Sequence, residues 1–131
     1  MLEVNWSRAR QKRLLDAMAE RKLDAVVVGL PHHVYYLSAA MPHWLHAGAF
    51  VLLADGRSWL TSGNSPAKEA AADEMVSFEA AWMSTLRQEQ PAVVAQQVIE
   101  LLRARVRNWR RIGIDNSPVT AQIALMLGRE G

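Results

Sequence analysis

The stretch from Leu23 to Ser38 constrains the fold more than any other part of the chain, because its hydrophobic period changes in the middle. Ala25 to Val28 form a short, mostly β-branched run that ends at a glycine, which is typical of a buried strand. From Pro31 onward the apolar residues Val34 and Leu37 recur at helical spacing, and proline suits the first turn of a helix. The sequence therefore predicts a buried strand that leads directly into a short helix.

The remainder of the chain alternates in the same way. Asp55-Gly56 lies between two apolar runs and favours the positive φ angles of a tight two-residue turn, which predicts an antiparallel hairpin. The other predicted elements are a helix from the N-cap Ser7 to about Lys22, a helix from Ser65 and Pro66 through Ala72, a strand over Met75–Glu79, a helix from Pro91 to about Asn108, a strand over Ile112–Asp115 and a final helix after Ser117-Pro118. This order predicts an α/β domain, a mixed sheet of about five strands flanked by helices on both faces.

Helical spacing also predicts which residues of the first and last helices face the sheet. Leu14, Leu15 and Met18 form one apolar stripe on the first helix, so we expect its basic residues, among them Arg8 and Arg13, to face solvent. On the last helix we expect Ile123, Ala124 and Leu127 to face inward.

The opening of the chain resembles the N-terminal domain of the creatinase, prolidase and Xaa-Pro aminopeptidase family. That domain starts with a helix, a Leu-Asp-Ala-aliphatic strand and a Pro-x-x-aliphatic-x-Tyr-Leu-Ser/Thr segment. The residues at those places here are Leu23, Asp24, Ala25, Pro31, Val34, Tyr36, Leu37 and Ser38. The Asp55-Gly56 hairpin and the strand from Arg111 to Asp115 follow in the family's order. The resemblance implies a single creatinase/prolidase N-terminal-like domain over residues 1–131.

This resemblance implies a non-catalytic role, because in the family the chemistry belongs to a separate C-terminal pita-bread domain, which we expect to be absent from this chain. The domain would assist homodimer formation and shape the substrate pocket of the neighbouring subunit. Its implied partners are its own catalytic domain, a second subunit and a small peptide or creatine-like substrate. A peptidase parent would hold a pair of Mn, Co or Zn ions in the catalytic domain, whereas creatinase uses no metal. Prolidase, aminopeptidase and creatinase parents all stay open.

The carboxylates and histidines give no independent sign of catalysis. In the family's peptidases about ten residues separate the two aspartates that bridge the metals, and no pair of aspartates here has that spacing. The sequence His43-Trp44-Leu45-His46 offers two imidazoles, but without cysteine or a flanking carboxylate it falls short of the three or four ligands that a metal site needs. We therefore expect neither a catalytic residue nor a metal or other cofactor in this chain.

The loop from Met41 to Gly48 is the strongest candidate for contact with a substrate. In creatinase-like dimers the corresponding segment reaches toward the neighbouring active site, and here it carries His43, Trp44 and His46. Trp82, after the next predicted strand, is a further interface candidate, since large aromatic side chains commonly anchor interfaces. The alternative for the loop is that Trp44 packs on the sheet edge and the histidines are ordinary loop residues.

Composition narrows the remaining function classes. Fifteen basic and thirteen acidic side chains leave a net charge of only +2, whereas a nucleic-acid binder usually gathers a larger excess on one face. The arginines from Arg103 to Arg111, with Trp109, favour a solvated helix end over an anion-binding or nucleic-acid surface. With no cysteine, secretory signal or membrane-spanning run, we expect a cytoplasmic protein. A stand-alone α/β binding module stays open as the alternative function.

Overall fold

The computed structural model describes residues 3–41, 47–63, 69–78, 82–83, 86–87 and 90–130. The elements in chain order are α1 (Val4–Arg21), β1 (Ala25–Val28), α2 (Pro31–Ser38), β2 (Ala49–Leu53), β3 (Ser58–Gly63), β4 (Glu74–Phe78), β5 (Trp82–Met83), β6 (Leu86–Arg87), α3 (Gln90–Arg105), β7 (Ile112–Ile114) and α4 (Pro118–Glu130). The predicted strand and helix of the opening segment are confirmed. The short β5–β6 hairpin has no counterpart among the predicted elements.

Five strands form one mixed sheet in the order β4-β3-β2-β1-β7. Strand β2 is antiparallel to both of its neighbours, whereas β1 pairs in parallel with β7 and β3 pairs in parallel with β4. The carboxyl ends of β1, β3, β4 and β7 therefore share one edge of the sheet with the amino end of β2. We call this edge the carboxyl edge. The predicted mixed α/β sheet is confirmed.

The sheet has a core on each face, because successive residues of a strand point to opposite sides. On β1, Ala25 and Val27 join the α3/α4 core, whereas Val28 joins the α1/α2 core. The α3/α4 core contains Trp59 and the helical residues Val94, Val98, Leu102, Val119 and Ile123. The α1/α2 core contains Met18, Val34, Leu37, Phe50, Leu52 and Leu60. Helices on both faces are thus confirmed, although Ala124 is exposed and not inward as predicted.

Helix α1 differs from its predicted form at its first turns. It begins at Val4, with Glu3 as its N-cap, so Ser7 lies within the helix and is fully buried. Arg8 does not face solvent freely, because its Nη1 lies 3.2 Å from both the Asp73 carboxylate and the Ser58 hydroxyl. The face of α1 that packs against the rest of the domain is therefore partly polar.

Polar side chains of α1 donate hydrogen bonds to the C-terminal end of α2. A helix leaves its last four carbonyl groups without partners in its own ladder, and each needs a donor from elsewhere. Tyr35 O accepts from Ala39 N, Tyr36 O from Ser7 Oγ and Arg10 Nη1, Leu37 O from Gln11 Nε2, and Ser38 O from Ala71 N. All four carbonyls are satisfied, three of them by residues far along the chain.

The β2–β3 hairpin is antiparallel as predicted, but its loop has three residues rather than two. Leu53 N donates to Arg57 O at 2.9 Å, which leaves Ala54, Asp55 and Gly56 between the last paired residues. Gly56 adopts a φ of +93°, as the last position of a three-residue loop favours.

The predicted helix from Ser65 through Ala72 is wrong where it can be compared with the structure. Residues 64–68 lie outside the described residues, and residues 69–73 form bends without helix. The backbone of this segment bonds to other elements: Ala71 N donates to Ser38 O at 2.7 Å and Asp73 N to Ser58 O at 3.1 Å. These bonds use the donors that a helical ladder would need.

Candidate functional site

One end of the predicted substrate loop lies at the carboxyl edge of the sheet. There Ala47, just before β2, donates its N–H to Oε1 of Gln90 at 2.8 Å, and Gln90 is buried at the first turn of α3. Met41, at the other end of the loop, has 62% of its surface exposed. The hydrogen bond from Ala47 to Gln90 fixes where the loop enters the sheet.

The sequence-predicted residues themselves are not brought together in the described part of the chain. His43, Trp44 and His46 lie outside the described residues. Trp82 belongs to β5, but its side chain also lies outside the description. All four stay predictions.

The structure shows a second polar centre at the carboxyl edge, around Asp115. The Asp115 Oδ2 atom accepts the N–H groups of Gly29 and Leu30 and lies beside Nδ1 of His33, each at 2.9 Å. Gly29 and Leu30 connect β1 to α2, His33 lies in the first turn of α2, and Asp115 directly follows β7. The cluster therefore ties the end of β7 to the start of α2, the helix that follows the neighbouring strand β1.

Two opposing effects set the charge of this carboxylate, whose side chain is only 6% exposed. Burial alone would raise the pKa of Asp115, but hydrogen bonds from the Leu30 N–H, His33, Ser117 and the Gly29 N–H outweigh it and lower the pKa below its ordinary value. Asp115 is thus an ionised group whose lone pairs are already engaged. It holds the connection and the His33 ring in place.

Beside this cluster an open groove of about 490 Å³ runs between α1, α2 and the β7 edge of the sheet. Its lining residues are Arg10, Arg13, Leu14, Val26, Val28, His33, Tyr36, Leu37, Gly113, Ile114 and Asp115. The floor is largely aliphatic, and Arg10 and Arg13 lie at its α1 side, which gives the mixture of apolar surface and a few polar groups that is usual for a small-molecule pocket. Sequence reasoning missed this groove because its residues come from four separate elements.

The other polar features near the sheet have structural roles. At the amino end of β1, the Asp24 carboxylate accepts the N–H groups of Arg110 and Arg111 at 2.6 and 3.0 Å, and these bonds lower the pKa of Asp24. Arg105 forms an ion pair with Glu74 at 3.0 Å, and Trp109 packs against the α3/α4 core. These contacts give no support to a nucleic-acid surface at this end of α3.

Neither a metal centre nor a membrane span appears in the described part of the chain. Within those residues, no three or more histidine or acidic side chains come close enough together to hold a metal ion. No described helix is both long and apolar enough to cross a bilayer.

Comparisons with known proteins place the fold in context. The family model "Creatinase/Prolidase N-terminal domain" matches residues 10–130. Among solved structures, prolidase from Pyrococcus furiosus matches with a TM-score of 0.53 and 21% identity, over 81% of this chain but only 28% of that protein. The creatinase/prolidase-like N-terminal domain of a Corynebacterium diphtheriae protein matches with a TM-score of 0.54 and 14% identity, over 91% of this chain and 86% of that one. No curated protein matched the sequence.

Proposed function

Because the chain belongs to the creatinase/prolidase N-terminal domain family, we propose that it serves as the non-catalytic N-terminal domain of a creatinase or Xaa-Pro peptidase-like hydrolase. The observation that carries the proposal is the pattern of coverage: the match extends over 81% of this chain and only 28% of the prolidase. In this proposal the remaining part of the protein would supply the hydrolytic site. A metal pair in a peptidase parent would be held there and not in this domain.

The proposed task of this domain is to assist dimerisation and to shape the substrate pocket of the neighbouring subunit through the loop of residues 41–48. The anchoring of Ala47 by Gln90 supports this task, because it holds one end of the loop at the carboxyl edge. Open α/β sheets bind their ligands at this edge, outside the carboxyl ends of the strands. Trp44 would supply an apolar wall, and His43 and His46 would supply hydrogen bonds to a small substrate.

The loop's role is tested by substituting Trp44→Ala in the protein that carries both this domain and the catalytic domain. Removing a large aromatic contact to substrate should raise KM several-fold, with a smaller effect on kcat, because substrate and transition state share that contact. Trp6→Ala is the matched control, since Trp6 is a 63% exposed tryptophan on α1. Equal kinetics for the Trp44 variant and the unsubstituted protein would contradict a role of this loop in the pocket.

A further inference from the structure

The groove exists because the sheet is left uncovered near its β7 edge. Val26 lies on β1, an interior strand, yet it is only half-buried. Its parallel neighbour on β7 is Gly113, which has no side chain to fill the space. A Cβ atom at Gly113 would lie only 3.1 to 3.2 Å from Leu23 and Val26, so a side chain here would crowd the floor. Glycine thus keeps an apolar recess open between α1 and the sheet.

Cationic groups lie at the periphery of this apolar recess. The Arg10 guanidinium stacks on the Tyr36 ring at 4.1 Å and donates to Tyr36 O at 3.2 Å, so it is held in place with further N–H donors to offer. Arg13, one turn later on α1, is exposed and has no hydrogen bond or ion pair with any other described residue. A guanidinium group binds a carboxylate through two parallel hydrogen bonds, which neutral partners do not match.

The two arginines outnumber the acidic group that lines the groove, and hydrogen bonds offset part of its charge. Asp115 is nearly buried, and its carboxylate already accepts from two backbone N–H groups and contacts His33. Charge complementarity therefore favours a negatively charged ligand head at the periphery and an apolar tail over Val26, Leu37 and Gly113.

We propose that the groove between α1, α2 and β7 binds a small carboxylate with an apolar tail, held by Arg10 and Arg13. A volume of about 490 Å³ suits a small organic molecule. The inference does not depend on the proposed function, because the residues that line the groove lie outside the loop of residues 41–48 in sequence and the binding needs no catalytic partner.

A titration of the 131-residue chain with octanoate, followed through the backbone amide signals in NMR spectra, tests the proposal. The largest saturable shifts are expected at Val26, Leu37 and Gly113, with α3 unaffected. Octanoate should bind about tenfold or more tightly than 1-octanol, because a charge-assisted pair is the source of selectivity. Acetate, which has the head without the tail, should produce no saturable shifts.

Two charge reversals on α1 separate a specific site from general attraction to a basic helix. Arg13→Glu should weaken octanoate binding by about tenfold or more, whereas Lys12→Glu should change it less than about twofold at physiological salt, because Lys12 does not line the groove. Equal binding of octanol and octanoate, or equal losses in the two variants, would overturn the proposal. So would an octanoate affinity that falls as protein concentration rises, since a second copy of the chain would then occupy the groove.

Discussion

The two faces of the central sheet are built by different means. The α3/α4 face is covered by aliphatic side chains, with Val94, Val98 and Leu102 of α3 fully buried. The α1/α2 face is covered by a helix that buries Ser7 and Gln11 together with Met18. Hydrogen bonds to α2 therefore add to the packing of Met18 in holding α1, whereas α3 is held mainly by apolar packing. The groove lies on this face, between α1, α2 and the β7 edge of the sheet.

The first way to test this comparison is to remove apolar volume from the well-packed face. Leu102→Ala should lower the free energy of unfolding by about 2–5 kcal/mol, because it deletes a fully buried side chain and leaves a cavity. Denaturant titration measures the loss, and Leu125→Ala, at a position of α4 with 55% exposure, should change it by less than about 0.5 kcal/mol. A loss below 1 kcal/mol for Leu102→Ala would mean that this face is not tightly packed.

The second way is to remove a polar contact from the other face without changing its volume. Gln11 Nε2 donates to Leu37 O at 2.8 Å and to Ala71 O at 2.6 Å. Gln11→Met should cost about 1–3 kcal/mol of unfolding free energy, because it leaves buried carbonyl groups without donors. Gln96→Met, on the exposed side of α3, serves as the matched control. If Gln11→Met were neutral or stabilising, the buried hydrogen bonds of α1 would add nothing to its apolar packing.

The difference between the faces also explains which parts of the structure the sequence could predict. Val94, Val98 and Leu102 of α3 recur at helical spacing, so their position on one buried face could be predicted, whereas the order of the strands could not. The burial of Ser7 and Gln11 could not, because polar residues at core positions look like solvent-facing ones until their partners are known. Likewise, His33 and Asp115 are 82 residues apart in the chain, and only the parallel pairing of β1 with β7 brings them together.

The two candidate sites, the loop of residues 41–48 and the groove, also differ in how far the sequence could predict them. The loop of residues 41–48 is a candidate for substrate contact because of its place after the Tyr-Leu-Ser helix, and this role, like those of His43 and Trp44, stays a prediction. No local sequence pattern indicates the groove, because the groove depends on the absence of a side chain at Gly113 and on how far α1 extends over the sheet. A basic residue on the outward face of an amphipathic helix, such as Arg13, gives no sign in sequence that it borders a cavity.

The most direct measurement is a proline-release assay on Xaa-Pro dipeptides with added Mn²⁺, comparing the 131-residue chain with the protein that also carries the catalytic domain. The chain alone should show the intact fold by circular dichroism and no proline release above the buffer rate. If the parent protein is a peptidase, the form that carries both domains should release proline under the same conditions. Metal-dependent turnover by the 131-residue chain alone would contradict the account that this domain supports catalysis without performing it.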